Sequence, residues 1–340
     1  MPKSKNHKKI GKKSKNRIHY KSKNKKMLKG GRPIKIKGIP LVPGTVFPEN
    51  FDFRGYKLTG IDLSKCTLIG ANFNQVDLTD AILVEANLTG ADLTNATLKN
   101  ADIRLVNFTN AILIDANLNN SDARNSDFRN ASLNNCKLKN TTLSFAKFTG
   151  ANLSKADLTD TIAIKVNFGR ATLSRTIMEK ADLRNANFEE SKANNIKFTE
   201  ANLNGCNFHK CILMHAWVIK SSLQNNLLSQ VDLTSAVFID SDLTNANLTG
   251  AVLDSAILMN AKLIRAKLNS AICIDSLLGI SDFTDADFTG ANLTRANLTY
   301  GNLSKSKLTS IISKNIIGER LILPDGYSLN EEQSIIGPDI

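Results

Sequence analysis

Four side chains lie close enough in sequence to suggest a metal: Cys206, His209, Cys211 and His215. Two thiols and two imidazoles make a familiar tetrahedral zinc set, provided all four reach one point. They do not share a side here. His209 and His215 fall at outward positions of a repeating pattern, whereas Cys206 and Cys211 fall at inward, small-residue positions. The thiols therefore read as core packing, where free cysteine behaves as a small hydrophobe. Cys66, Cys136 and Cys273 occupy the same kind of slot. Asp and Asn recur throughout, and paired carboxylates could serve acid–base chemistry or calcium. They are interspersed at one position of the repeat, and no EF-hand loop accompanies them. Gly30-Gly31 after Lys29 lacks the spacing of a phosphate loop. The many Asn-Leu-Thr triplets match a glycosylation sequon, but without a signal peptide they are by-products of the repeat. No catalytic residue, no metal ligand and no cofactor is assigned, and the chain is expected not to be an enzyme.

The pattern that places these residues has a period of five. At every number ending in 3 or 8, from Phe53 to Leu308, the residue is Leu or Phe with few exceptions: Ile103, Met178, Val218 and Cys273 are close equivalents, and Ala123, Ala163 and Ala193 are small. Two positions earlier stands a small residue, and between the two Asp or Asn is common. Thr, Ser, Asn, Lys, Asp and Gly follow. Ala86-Asn87-Leu88-Thr89-Gly90 and Ala91-Asp92-Leu93-Thr94-Asn95 show the unit. All seven prolines lie outside this stretch, as a continuous hydrogen-bonded ladder requires.

Five fits neither an α-helix nor a flat strand. It fits a coil with four sides and one pentapeptide per side. The small residue and the Leu or Phe point inward, and the Gly, Asn and Asp at numbers ending in 0 or 5 suit the corners. Residues 20 apart then stack. Phe108, Phe128, Phe148, Phe168, Phe188 and Phe208 should form one column of rings, at an inter-coil spacing of about 4.8 Å that suits offset stacking. Ala123 and Ala163, on another side, could leave room for them. About thirteen coils make a rod of roughly 60 Å.

The A(D/N)LXX pattern over 51–313 resembles the pentapeptide-repeat family. The resemblance implies an all-β fold, a right-handed quadrilateral β-helix. Its members include inhibitors or protectors of DNA gyrase, secreted bacterial effectors and many proteins of unassigned role, so it constrains function little. Leu323-Pro324-Asp325-Gly326-Tyr327, followed by Ile335-Ile336-Gly337-Pro338, resembles a segment recurring in bacterial and large-virus members and reads as a capping strand pair, since a solenoid needs its end covered.

Charge divides the chain. It has 340 residues, for which length alone suggests two domains, and a formal net charge of +13. Residues 1–48 hold 16 Lys and Arg and no acid, leaving 28 basic and 31 acidic residues in 49–340, so the N-terminal segment carries +16 and the remainder −3. The expected layout is a basic disordered arm at 1–37, a linker and N-terminal cap at 38–50, the β-helix at 51–313 and a C-terminal cap at 314–340. The arm offers Lys3, Lys5, Lys8, Lys9, Lys12, Lys13, Lys15, Arg17, Lys21, Lys23, Lys25, Lys26, Lys29, Arg32, Lys35 and Lys37 to a polyanion. With Tyr20 as its one aromatic, it lacks a stacking platform for single strands. Its binding should be sequence-independent and lost in high salt. A nuclear address and a solubilising tail are the other readings of such a run.

A second feature exceeds the repeat. Numbers ending in 7 point outward, yet Trp217, Val237, Ile257 and Leu277 are apolar and stack, with Ile219, Ile239 and Met259 beside them. The neighbouring side carries Ile212, Val252 and Ile272, with Met214 and Ile274. A contiguous field of this kind exceeds ordinary monomer surface and predicts a protein interface, with another chain or with itself as a homodimer. Trp217 is the expected anchor. Repeat drift is the alternative, because Ile and Val suit a β surface.

These features predict a non-enzymatic scaffold, a rigid rod docking through its apolar face while the basic arm grips nucleic acid or another polyanion. A large nucleoprotein or virion assembly would suit it. The alternatives are a DNA-mimicking gyrase inhibitor or protector and a secreted effector acting in a host cell. Imitation of DNA needs dense negative charge, and −3 does not supply it. A membrane span is not expected, since no run of about 18 apolar residues occurs. A secretory signal and a small-molecule substrate are not expected either. Five cysteines without framework spacing point to a reducing, intracellular compartment; nucleus, virion and host cytoplasm all fit.

Overall fold

The computed structural model describes residues 34–338. The fourteen cations from Lys3 to Arg32 lie outside the described residues. Strand β1 (Lys35–Ile36) pairs antiparallel with β2 (Ile39–Pro40), Lys35 opposite Pro40 and Ile36 opposite Ile39. Ile36 and Leu41 are buried. These apolar side chains cover the first coil, so Lys35 and Lys37 belong to an N-terminal cap, whereas charge alone places them in the arm. Lys37 holds its ammonium 5.4 Å from the centre of the Phe51 ring.

From Val46 the chain turns into an uninterrupted right-handed quadrilateral β-helix. Parallel bridges join residues 20 apart, from Asp52–Asn72 to Asn302–Ile322; parallel connections of this kind are right-handed. The coils thus continue past 313, and the described residues form one solenoid where length alone suggests two domains. At the far end β3 (Ser328–Leu329) pairs antiparallel with β4 (Ile335–Ile336). Ile335 N–H donates to Ser313 Oγ at 2.9 Å and fastens this pair over the last coil.

The pentapeptide follows from where each backbone N–H finds its acceptor. In 61–66, Leu63 N–H donates forward to Ile82 O at 2.7 Å, and Lys65 N–H to Val84 O at 2.8 Å. Cys66 N–H closes the corner onto Leu63 O at 3.1 Å. The outward Ile82 N–H donates back to Ile61 O at 2.8 Å. Away from the end coils and from the corners at Ser221, Ser241 and Ser281, only the fourth residue of each unit lacks a backbone acceptor. The Asp or Asn two residues earlier supplies one: Ser64 N–H donates to Asp62 Oδ1 at 3.0 Å, and Thr79 N–H to Asp77 Oδ1 at 2.9 Å. This is an Asx turn, and it explains why Asp and Asn interchange at that position. The fifth residue is left-handed at nearly every corner, with φ near 60° for Asn95, Asn110 and Asn120 among many.

The interior is the two inward columns of each side. The six phenyl rings from Phe108 to Phe208 stack with centroids 4.6–5.2 Å apart and planes within 26°. Phe198 reaches them edge-on from the opposite side, 5.8 Å from Phe188 and 6.1 Å from Phe208. Hydroxyls in the small inward slots donate to backbone carbonyls, some in the preceding coil (Thr141 Oγ1 to Leu118 O and Thr176 Oγ1 to Leu153 O, both at 2.9 Å) and some in their own (Thr161 Oγ1 to Leu158 O at 2.9 Å).

Candidate functional site

The metal set dissolves on geometry. Cys206 Sγ donates inward to Leu183 O at 3.1 Å, and Cys211 Sγ lies 3.1 Å from Ser191 Oγ. His209 stays outside, its Nδ1 2.8 Å from Ser229 Oγ. Burial pushes the thiols up, Cys211 and Cys273 to about 12, and makes them inert.

The carboxylates act mainly as turn caps and ion-pair partners. Asp102 and Asp122 grip Arg104 and Arg124 in the same unit, Arg Nη2 to Oδ2 at 2.6 Å in each case. An open groove of about 260 Å³ runs between Asp240, Asp242 and Asp282, with Lys262 in its middle. Asp240 accepts from Asn260 at 2.7 Å. At Asp242 burial raises the carboxyl, but hydrogen bonds from Thr244 and Gln224 outweigh it and hold the group below its usual range. A carboxylate held ionised by neighbouring donors is a poor general acid.

What remains is the apolar face. Trp217, Val237, Ile257 and Leu277 bridge one another in register on four successive coils. Trp217 is 51% exposed, and Met259 and Leu277 are also exposed. Ile219, Ile239 and Met259 occupy the adjoining corner column. Lys197 closes the upper end with its ammonium 6.0 Å from the indole centre. The neighbouring side is less continuous than its apolar residues suggest: Asp232 bridges Ile212 to Val252 and uses its carboxylate to cap Thr234 N–H at 3.0 Å. Ile212, Val252 and Ile272, with Met214 and Ile274, are therefore flanking islands. The field proper is the Trp217 column with its corner.

Sequence reading overlooked two members. Ile280 lies just past Met259, 54% exposed, and holds φ at 63°, a β-branched residue in the left-handed region. Ile317 continues the Trp217 column beyond Asn297 and is 56% exposed. Extending the 20-residue count past the last regular Leu would have found it.

A family model described as pentapeptide repeats matches this chain in eight copies, at residues 52–83, 71–110, 111–154, 141–180, 181–216, 220–256, 236–272 and 281–311. Among solved structures, HetL from the cyanobacterium Nostoc sp. strain PCC 7120, a pentapeptide repeat protein involved in heterocyst differentiation regulation, is 27% identical. That alignment covers 63% of this chain and 91% of HetL, with a TM-score of 0.43. Full-length QnrB1, a plasmid-mediated fluoroquinolone resistance protein, is 20% identical over 60% of this chain and 92% of its own, with a TM-score of 0.29. A pentapeptide repeat protein of the Arabidopsis thaliana thylakoid lumen is 27% identical over 36% of this chain and 68% of its own, with a TM-score of 0.16. No curated protein matches the chain.

Proposed function

This chain belongs to the pentapeptide-repeat family, and we infer that it works as a non-enzymatic scaffold: a rigid rod that docks on protein through the Trp217 face while its basic N-terminal segment holds a polyanion, as a component of a nucleoprotein assembly would. The observation that carries the reading is what the apolar face gives up. At positions 217, 237, 257 and 277 the capping Asp or Asn is replaced by Trp, Val, Ile and Leu. With Ile177 and Lys197 before them in the same column, six consecutive corner N–H groups thereby lack a side-chain acceptor, four of them on the apolar face, at about 0.5–1.5 kcal/mol for each hydrogen bond. Neutral drift on a β surface does not favour four such losses in register, whereas burial of the face against protein offsets them. DNA imitation is the weaker reading, because the segment 49–340 carries only −3.

The polyanion half is tested on the full chain against a variant with its fourteen cations from Lys3 to Arg32 replaced by Gln. Binding of fluorescent duplex DNA and RNA is titrated across salt. The full chain should bind both, with log affinity falling by about 0.9 per phosphate neutralised for each decade of salt, and the variant should not bind. Equal binding by the two, or none by either, removes the segment from the function.

A further inference from the structure

The apolar face is nearly a palindrome along the rod. Its central column runs Lys197, Trp217, Val237, Ile257, Leu277, Asn297: polar, four apolar, polar, in either direction. The corner column on one flank runs Asn194, Met214, Thr234, Asp254, Ile274, Thr294: polar, apolar, two polar, apolar, polar, again in either direction. The other corner runs Thr199, Ile219, Ile239, Met259, Gly279, Thr299, symmetric except that Gly279 answers Ile219. A solenoid repeats by translation, so nothing in the fold imposes mirror order. A different protein would not require it. A second copy turned end for end does, because in an isologous contact residue i meets j as j meets i.

We propose that the occupant of this face is a second copy of this chain, packed antiparallel about a two-fold axis that crosses the rod between Val237 and Ile257. The proposal rests on the docking reading above and names its partner. In this arrangement Val237 packs on the partner's Ile257, and Trp217 on the partner's Leu277. Two positions break the symmetry: Ile219 stands over the bare backbone of the partner's Gly279, and the exposed Ile280 lies against the methylene stem of the partner's Lys220. That glycine is itself tightly backed, since a Cβ there would lie 3.0 Å from Thr299 O.

Charge agrees with the same axis. Over six coils no like charges meet: Lys197 faces Asn297, His215 faces Asp275, Asp240 faces Asn260, Asp254 faces Thr234 and Arg295 faces Asn195. One coil further out Glu179 would face Glu319 and Lys180 would face Arg320, which ends the contact. Six coils span about 29 Å at roughly 4.8 Å per coil. Parallel pairing would set Lys197 on Lys197 and bring together the two points where the +14 segments 1–33 join their rods. In the antiparallel pair each joining point, at Ile34, lies about ten coils from the axis on opposite sides, far beyond the ~8 Å screening length.

The strip is narrow against the ~800 Å² per partner of a standard interface, so association should be micromolar. The test is sedimentation of the full chain from about 1 to 100 µM in about 0.5 M salt, where the basic segments are screened. Emission of Trp217, the only tryptophan, is read in parallel. The expected result is a monomer–dimer equilibrium with a blue shift on association, weakened at least tenfold by Trp217→Lys and by Val237→Asp with circular dichroism unchanged. Leu227→Lys, at an exposed position on another side, should leave it intact.

Orientation is read by mixing Asn195→Cys chains with Arg295→Cys chains and adding a short bis-maleimide, the native cysteines being buried. Antiparallel pairs cross-link only between the two variants, because identical sites lie about five coils, or roughly 24 Å, apart. Cross-links within one variant alone would overturn the proposed axis. A monomer at every concentration, with solvated indole emission, would overturn self-pairing and leave the face to a different protein. A dimer indifferent to both Trp217→Lys and Val237→Asp would overturn self-pairing through this face and put the dimer contact elsewhere on the rod.

Discussion

At the second position of the repeat, an acid serves the backbone. Hydrogen bonds from the Thr79 side chain and N–H hold Asp77 below the usual carboxyl range. At Asp157 and Asp287 burial raises the group, but the donors of Thr159 and Thr289, with those of Lys139 and Asn269, prevail and lower it. A carboxyl lowered in the folded state adds stability above its unfolded value near 3.9, and that contribution is lost as pH falls through the folded value. Melting temperature should therefore be flat above about pH 5 and fall between about pH 4 and 2. Because an amide oxygen caps as well as a carboxylate, the triple variant Asp77→Asn, Asp157→Asn, Asp287→Asn should melt as the parent does at pH 7 and show a shallower acid limb. A melting temperature below the parent's at pH 7 would mean that the charge, and not the hydrogen bond, holds the turn. The buried thiols give a second expectation. At pH 8 iodoacetamide should label none of the five cysteines in the native protein and all five after denaturation, read by mass spectrometry; rapid native labelling of Cys211 or Cys273 would contradict their burial. At Ile280 a β-branched residue sits at φ 63°, where a left-handed L-residue costs roughly 1–2 kcal/mol. Ile280→Asn should raise unfolding free energy by about 1 kcal/mol in denaturant titrations of the monomer.

Among the elements, the stacked coil is the unit whose behaviour the period of five anticipates. Inward and outward positions, the corner residues and the column from Phe108 to Phe208 could all be counted off, since residue number modulo 20 names the neighbour in the next coil. What counting missed depends on partners it does not relate. Phe198 enters the Phe column from the opposite side, next to Ala193, where a Leu slot is left small. The capping role of Asp62 and Asp77 appears only when the fourth N–H of the unit is found without a backbone acceptor. Asp232 breaks the second apolar column because its cap is kept. Ile36 orders the chain before residue 38, since an apolar side chain at a coil end buries itself whatever the charge around it. For the candidate face, the column was legible from spacing, while its reversal symmetry emerges once the corners are assigned to flanks. The stack also sets how damage spreads. Phe148→Ala should cost about 3–5 kcal/mol, and hydrogen exchange should rise in the coils around 128–168 more than in those beyond, as nearest-neighbour coupling requires. Uniform loss of protection along the chain would show instead that the solenoid unfolds as one cooperative block.

On the scale of the whole rod, the ladder that stabilises each coil is also a hazard at both ends. Every interior coil hands its inward N–H groups to the next one, as Leu293 does to Ile312 O and Leu303 to Ile322 O. The final coil has no successor, and an uncovered ladder edge is a template for another chain. Here β3 and β4 take the successor's place: Ile316 N–H donates to Gln333 O at 3.0 Å, Ile335 is buried, and Ser313 accepts from Ile335 N–H. At the other end β1 and β2 bury Ile36 and Leu41 in the same way. The two caps are made antiparallel, so they cannot simply continue the parallel register of the coils. Ending the chain after Ile322 would expose the last coil's inward groups and the apolar residues Ile311, Ile316 and Leu321 that pack toward the core. Such a chain should keep the β spectrum of the rod and assemble end to end, which light scattering and electron microscopy would record as filaments growing with concentration. The side-by-side pair through the Trp217 face would be unaffected by that truncation, so Trp217→Lys should not suppress the filaments. Suppression by Trp217→Lys would mean that both kinds of association use one surface, and that β3 and β4 do not act as the stop.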